Sequence, residues 1–258
     1  MRRFAAPLPQ CSAAPLLSFS NVAKRARDGG RELAVLRDVS FELGAAESLG
    51  VYGARRSGKS TLARLAAGIE PADEGSIRFE GRDLAGMSPG GRTRLLRGTF
   101  GLLAGDGPAP NGGRTVMDHV ALAAGSAGCS LRQARRRALG ALDAAGVAGI
   151  SAEEMNGALP AAERARVMLA SALVHDPKLL IVDEPAPLPS LVERQRFCTL
   201  LQSLADERDM ALLLVSEELS ALRGSAMLAS LSNGELCHTQ EGATVVELPR
   251  RRAARESL

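Results

Sequence analysis

A segment near residue 55 has the residue types and the spacing of a phosphate-binding loop. It fits the pattern G-x-x-x-x-G-K-[ST] at every fixed position, with the residues Gly53, Ala54, Arg55, Arg56, Ser57, Gly58, Lys59, Ser60 and Thr61. The two glycines let the backbone turn sharply and bring its N–H groups close to phosphate oxygens. The pattern assigns Lys59 to the β and γ phosphates of a nucleotide and the Ser60 hydroxyl to Mg²⁺, with help from the Thr61 backbone N–H. This phosphate-binding loop predicts binding of a nucleotide with Mg²⁺.

The residues on either side of the loop supply the setting that it needs. Residues 48–52 predict a short buried strand, and residues 61–67 predict the start of a helix, whose positive N-terminal end attracts phosphate. The alternative is a glycine-rich turn without a ligand. The register of Lys59 and Ser60 argues against it.

A pair of acidic residues that could take part in catalysis follows an apolar run. Residues 179–182 are all apolar, which is typical of a central strand in a parallel sheet, and Asp183 and Glu184 come directly after them. In a chain with a phosphate-binding loop, the first carboxylate holds Mg²⁺ directly or through water, and the second polarises the attacking water. An acidic turn with a structural role is the alternative. The two motifs together predict hydrolysis of a nucleoside triphosphate, with Glu184 and Lys59 as catalytic residues.

Composition restricts the class of protein. The chain has 258 residues, 45% of them apolar and 24% charged, which fits one globular domain with an inserted lobe. A net charge of +3 is too small to indicate a nucleic-acid groove. The basic residues gather near the ends, as in residues 250–255, where they indicate flexible termini or a contact with anionic lipid.

The cysteines and the apolar runs indicate the compartment. The four cysteines show no C-x-x-C pattern and no nearby histidine pair, so they suggest neither a metal site nor a disulfide framework. No apolar run approaches the length of a membrane span, and the N-terminal residues do not fit a signal peptide. A cytoplasmic protein is therefore expected.

The remaining patterns predict an α/β fold of the P-loop NTPase class with a parallel-sheet core. Residues 1–16 are expected to form a flexible leader, residues 17–247 the ATP-binding domain, residues 114–160 an inserted helical lobe, and residues 248–258 a basic tail. An N-terminal antiparallel β layer is predicted from strands at 16–22, 34–43 and 75–81, with a turn at residues 29–30. Further strands are predicted at 99–103 and 211–216, a hairpin at 226–236, and helices at 92–96, 115–124, 130–145 and 161–173.

Taken together, these segments resemble the ATP-binding subunits of ABC transporters, from about residue 17 to residue 247. The segments that carry the resemblance are the phosphate-binding loop and residues 35–41, 75–77, 115–116, 166–167, 175–177, 183–185 and 231–235. Residues 81–97 look most like the lipoprotein-release and macrolide-export branch. The resemblance implies an ATPase at the inner face of the cell membrane, coupled to transport through a separate membrane permease. It also implies two cassettes that close face to face, each ATP lying between the phosphate-binding loop of one and a serine-glycine loop of the other.

Two departures from the family pattern concern the groups that meet the γ phosphate. Where the family has Leu-Ser-Gly-Gly-Gln, this chain has the signature loop Leu159, Pro160, Ala161, Ala162 and Glu163. Pro160 offers neither a hydroxyl nor an N–H group, and each alanine adds a methyl group where the backbone must approach closely. The switch histidine of the family falls on Glu217, whose charge would face the phosphate as a like charge.

Smaller departures point the same way. The Ser-Ala-Leu-Asp turn of the family falls on residues 187–190, its glutamine falls near Gly105 or Asp106, and the adenine-stacking aromatic falls near Arg25 or Ala26.

Three functions remain open from the sequence. The first is an ATP-hydrolysing transporter subunit that pairs with a second ATPase, more readily a different chain than a second copy. The second is a nucleotide-binding pseudo-ATPase that regulates a competent partner. The third, a soluble ABC protein without transport, is disfavoured because the chain has neither a second such domain nor a coiled-coil insertion. Intact Asp183 and Glu184 favour the first, and Pro160 and Glu217 favour the second.

Overall fold

The computed structural model of the chain describes residues 14–28, 31–104, 113–125, 129–147, 154, 158–185 and 188–239. Nearly all of the predicted leader, the whole basic tail, the turn at residues 29–30 and the positions Gly105, Asp106 and Pro187 lie outside the described residues. The strands are β1 (Leu17–Asp28), β2 (Arg31–Leu43), β3 (Ser48–Gly53), β4 (Glu74–Phe79), β5 (Arg82–Asp83), β6 (Phe100–Ala104), β7 (Leu179–Asp183), β8 (Ala211–Ser216), β9 (Met227–Ser232) and β10 (Glu235–Thr239). The helices are α1 (Lys59–Ala66), α2 (Pro89–Gly98), α3 (Val116–Gly125), α4 (Leu131–Ala144), α5 (Ala161–Leu173) and α6 (Leu191–Glu207).

The strands form two sheets of different kinds. One sheet has the order β2-β1-β4-β5 and is antiparallel. The other has the order β10-β9-β3-β8-β7-β6, in which β10 pairs antiparallel with β9 and the other neighbours are parallel. The predicted parallel core and N-terminal antiparallel layer are both confirmed.

The central strands are apolar throughout because both faces of the parallel sheet are covered. On β7, Leu179 and Ile181 pack into a core shared with α1 and the antiparallel sheet. Leu180 and Val182 point the other way, into a core shared with α3, α4, α5 and α6. Alternate side chains of a strand face opposite sides of its sheet, so each face receives half of the apolar run.

Helix α4, in the helical segment between β6 and β7, begins with a well-defined cap. Ser130 caps α4 through a capping box with Gln133, in which each side chain satisfies a backbone N–H group of the other. Helices α3 and α4 pack against α5 within one core and lie inside the predicted lobe at residues 114–160. Among the described helices, none is long and apolar enough to cross a membrane.

Several boundaries differ from those predicted. Strand β1 continues to Asp28, because it pairs with β2 along its length. Helix α1 begins at Lys59, two residues before the predicted start, since Gly58 adopts a left-handed φ of 106° as its N-cap and the helix can begin directly after it. Helix α2 is longer than predicted, with Ser88 as its N-cap and a proline in its first turn. Helix α6 was not predicted.

Candidate functional site

The candidate site lies at the carboxyl ends of three adjacent parallel strands. The phosphate-binding loop follows β3, Asp183 and Glu184 lie at the end of β7, and Ser216 and Glu217 lie at the end of β8. Strand β8 lies between β3 and β7, with Tyr52 paired with Ser216 and Asp183 with Val215. Ligands of open α/β sheets bind at this edge.

The glycines of the loop are required by close backbone approaches. A Cβ atom on Gly53 would lie 2.4 Å from Ser57 Oγ, and one on Gly58 would lie 2.9 Å from the carbonyl oxygen of Val35 on β2. Such distances are shorter than van der Waals contact, so a side chain at either position would displace the loop. Arg56 also adopts a left-handed backbone, with φ of 63°. The loop is therefore held in one sharply turned conformation.

One buried polar atom in the loop points to a ligand. Within the described part of the chain, Ser57 Oγ is buried and has no hydrogen-bond partner. Leaving a buried hydroxyl unsatisfied is unfavourable, and such a group calls for an explanation such as a missing ligand. A phosphate oxygen held by the loop would accept this hydrogen bond. The donors of the loop therefore fit the nucleotide that its sequence predicts.

Lys59 carries the positive charge of the site. Its side chain is only 5% exposed, and Nζ donates to the carbonyl oxygens of Gly53 at 2.9 Å and Ala54 at 3.0 Å. Nζ also lies 3.6 Å from Glu184 Oε1 and 3.6 Å from Glu217 Oε1. One buried cation is thus shared by two carboxylates.

Glu184 is held by groups from the neighbouring strand. Ser216 Oγ donates to Glu184 Oε2 at 3.0 Å, and the backbone N–H of Glu217 donates to Oε1 at 2.8 Å. Burial raises the pKa of Glu184 above its ordinary value, the Glu217 charge adds to the rise, and the two hydrogen bonds and Lys59 offset part of it. A carboxylate with a raised pKa and fixed geometry is suited to accept a proton from water.

Ser60 and Asp183 form an oxygen pair that fits Mg²⁺. Ser60 Oγ donates to Asp183 Oδ1 at 3.0 Å, across 123 residues of sequence. Hydroxyl and carboxylate oxygens are the ligand types that Mg²⁺ prefers, usually together with phosphate oxygens and water. No group of three or more His, Cys, Asp or Glu side chains capable of holding a metal occurs among the described residues. The two oxygens of the pair fit a metal whose other ligands are phosphate oxygens and water.

The signature loop lies on a different element, at the start of α5. Pro160 is the N-cap of α5 and makes no side-chain hydrogen bond to the helix. Leu159 is buried, and its carbonyl oxygen accepts a hydrogen bond from the Arg164 guanidinium. Ala161, Ala162 and Glu163 form the first helical turn, where Glu163 places a negative charge. The N-terminal end of α5 therefore offers no hydroxyl group and carries an acidic group.

The position expected to stack against adenine is engaged in a different contact. The backbone N–H of Arg25 donates to Asp73 at 2.7 Å, and its guanidinium pairs with Glu74. Lys24 pairs with the same Asp73 at 3.0 Å. These contacts join β1 to the start of β4.

The structure therefore brings together Lys59, Ser60, Asp183, Glu184 and Glu217 from the predicted set. It leaves Leu159, Pro160, Ala161, Ala162 and Glu163 on a separate element.

Two contributors were missed by sequence reasoning. Ser216 holds Glu184, and its position beside Glu217 at the end of a strand could have indicated it. Arg194 donates to the carbonyl oxygen of Leu188 at 2.6 Å and pairs with Glu218 at 3.1 Å. It thus links the segment after Glu184 to the segment after Glu217. No local pattern marks Arg194, because its partners are distant in sequence.

Comparison with known proteins identifies relatives of this chain. Residues 36–187 match the family model described as ABC transporter. An ATP-binding protein assigned to peptide import in Brucella abortus is 33% identical over 218 residues, covering 80% of this chain and 64% of the relative. A methionine import ATP-binding protein of Salmonella typhi is 28% identical, covering 91% of this chain and 68% of the relative. This chain thus spans less than two thirds of the length of the Brucella relative.

Solved structures show the same fold. A dimeric ATP-binding cassette in a post-hydrolysis state with ADP and Pi superposes with a TM-score of 0.76 at 21% identity, covering 85% of this chain and 96% of that chain. The cbiO1 protein from Clostridium perfringens, part of an ABC transporter complex, gives a TM-score of 0.73 at 22% identity, covering 86% of each chain. The family match includes the phosphate-binding loop and the acidic pair Asp183 and Glu184. The chain belongs to the ABC transporter family of ATP-binding proteins.

Proposed function

We propose that this chain is the ATP-binding subunit of an ABC transporter, which couples ATP binding and hydrolysis to transport through a separate membrane permease. The observation that carries the proposal is the meeting of Lys59, the Ser60–Asp183 pair and Glu184 at one sheet edge. Names of similar proteins, which specify peptide and methionine import, support a transport role. Through its permease, the chain would lie at the cytoplasmic face of the cell membrane. The export branch suggested by residues 81–97 stays a prediction.

Each residue of the site has a chemical task in this proposal. The backbone N–H groups of the loop and the Ser57 hydroxyl bind phosphate oxygens, and Lys59 neutralises phosphate charge. Ser60 and Asp183 would hold Mg²⁺, which supplies further neutralisation of the phosphates. Glu184 accepts hydrogen bonds from Ser216 and from the Glu217 backbone, so its carboxylate is oriented to polarise a water molecule.

Calorimetric titration with ADP and with a non-hydrolysable ATP analogue, each with Mg²⁺, tests the proposal. We expect the chain to bind at least one of them and Lys59→Ala to abolish measurable binding. Lys178→Ala is the matched control, because Lys178 is an exposed lysine that pairs with Glu80 on another part of the surface. A folded chain that binds neither nucleotide would contradict the proposal.

A second candidate function is supported by Glu217. Its carboxylate lies 3.6 Å from Lys59 Nζ, where it would meet the γ phosphate as a like charge and oppose hydrolysis at this site. The chain would then serve as a nucleotide-binding regulator of a competent second ATPase. Glu184→Gln here and the equivalent change in the partner, compared in the co-expressed complex, separate the two candidates. Loss of turnover only with the partner's change favours the regulator.

A further inference from the structure

Glu217 places a negative charge beside Lys59, the lysine of the phosphate-binding loop. Glu217 Oε1 lies 3.6 Å from Lys59 Nζ. Lys59 is buried, and its other contacts are the carbonyl oxygens of Gly53 and Ala54 and the carboxylate of Glu184. A ligand that needs the charge of Lys59 must therefore compete with a carboxylate that the chain already holds there.

Hydrogen bonds fix the backbone from which the Glu217 side chain reaches Lys59. The N–H group of Glu217 donates to Glu184 Oε1 at 2.8 Å, and the next N–H group, that of Glu218, donates to Ser216 Oγ at 3.0 Å. The side chain of Glu217 is 45% exposed, so it can turn toward solvent only by giving up the ion pair. Glu217 therefore weakens the binding of a phosphate at Lys59 but does not prevent it.

The phosphates of a nucleotide meet this carboxylate unequally. In a loop of this type, the backbone N–H groups surround the α and β phosphates, whereas the lysine reaches the β and γ phosphates. A diphosphate brings only its β phosphate to Lys59, so one phosphate group rather than two competes with Glu217 for the lysine. A triphosphate brings a further negative group to the lysine, where it meets Glu217 as a like charge and displaces its ion pair.

We infer that Glu217 makes this site select nucleoside diphosphates over nucleoside triphosphates, so that the chain retains ADP in preference to ATP. The inference rests on the proposed nucleotide binding and names the preferred ligand of the same site. Glu217 acts here as a specificity-determining residue. A cassette that retains ADP would hold the transporter in a post-hydrolysis state until the nucleotide is exchanged.

Affinities measured by calorimetry, with Mg²⁺, test the inference. We expect ADP to bind at least about tenfold more tightly than a non-hydrolysable ATP analogue, and Glu217→Gln to remove most of that gap by tightening the analogue. Glu218→Gln is the matched control. It removes the same charge one residue later, but the side chain of Glu218 pairs with Arg194 rather than with Lys59. This variant should keep the preference for ADP.

The possible outcomes separate this inference from the proposed function. Binding of neither nucleotide to the folded chain would overturn both. Equal affinities for ADP and the analogue in the unchanged chain would overturn the inference and leave the proposed function standing. The inference also fails if Glu217→Gln and Glu218→Gln tighten the analogue equally, because net charge would then explain the effect.

Discussion

The hydroxyl group of Ser216 donates a hydrogen bond of 3.0 Å to Oε2 of Glu184, and it thereby joins the end of β8 to the end of β7. The same hydroxyl oxygen accepts a hydrogen bond of 3.0 Å from the backbone N–H of Glu218. Ser216 is only 1% exposed, so water cannot readily replace either bond. The candidate catalytic carboxylate thus depends on a serine of the neighbouring strand.

Ser216→Ala should lower the free energy of unfolding by about 1–3 kcal/mol, because it removes a hydrogen bond to a carboxylate and leaves a backbone N–H group without its acceptor. Urea denaturation measures this loss. Ser171→Ala is the control, since Ser171 donates only to the carbonyl oxygen of Val167 in its own helix at 3.1 Å, a bond that contributes little. Equal losses in the two variants would contradict the assigned role of Ser216.

Glu184→Gln should stabilise the nucleotide-free chain at neutral pH. Burial raises the pKa of Glu184 in the folded chain, so the unfolded chain releases this proton first as the pH rises. The folded state therefore loses stability as the pH rises above the pKa of the unfolded chain, and it keeps that loss at pH 7. We expect Glu184→Gln to unfold at a higher urea concentration than the unchanged chain at pH 7.

The pH dependence provides an internal control for this variant. Below about pH 4 the carboxyl group of Glu184 is protonated in both the folded and the unfolded chain. The gain in stability from Glu184→Gln should therefore shrink as the pH approaches that value. An advantage that is the same at all pH values would mean that the raised pKa of Glu184 is not its cause. Lower stability of Glu184→Gln at pH 7 would show that the contacts with Lys59 and Ser216 outweigh burial.

Much of the fold could be predicted because the decisive signals are local. The apolar run before Asp183, the glycine pattern around Lys59 and the Ser130 cap each act within a few residues. Helix α6 was missed although Ser190 and Glu193 have the spacing of a helix cap, and Ser190 Oγ accepts from the Glu193 N–H at 3.5 Å.

The contacts of the candidate site could not be predicted in full, because they depend on tertiary pairing. The sequence placed Glu217 at the switch position and predicted repulsion of a phosphate. It did not predict that Glu217 pairs with Lys59, or that its backbone N–H supports Glu184. Both contacts follow from the adjacency of β3, β8 and β7, which no pattern within one strand specifies.

The cysteines should differ strongly in reactivity. Burial raises the pKa of the Cys198 thiol to about 11, with a smaller rise from the Glu218 charge, whereas Cys237 is exposed. Only the thiolate is nucleophilic, so iodoacetamide at pH 8 should modify Cys237 rapidly and Cys198 very slowly. Peptide mass spectrometry gives the two rates. In urea the rates should become similar, and rapid modification of Cys198 in the folded chain would contradict its burial.

We expect the unchanged chain alone to hydrolyse ATP at a rate near the detection limit. Restoring the residues of the family pattern should raise that rate. The restoring changes are Pro160→Ser, Ala161→Gly, Ala162→Gly, Glu163→Gln and Glu217→His. Each positioned donor to a transition-state phosphate contributes on the order of 10²–10³ in rate, so the combined variant should gain about 10² or more. Restoring the signature loop alone should give less, because Glu217 would still oppose the γ phosphate. Steady-state phosphate release measures all variants.

The restored variant carries its own control, since adding Glu184→Gln to it should abolish the gain if Glu184 is the group that polarises water. Each new glycine in the first turn of α5 costs up to about 1 kcal/mol of helix stability, so circular dichroism must show that the variant is folded. Rapid hydrolysis by the unchanged chain, lost on Glu184→Gln, would show that Pro160 and Glu217 do not limit the site. A folded variant without any gain would show that a second copy of this chain cannot complete the site, and that a different cassette must supply the missing loop.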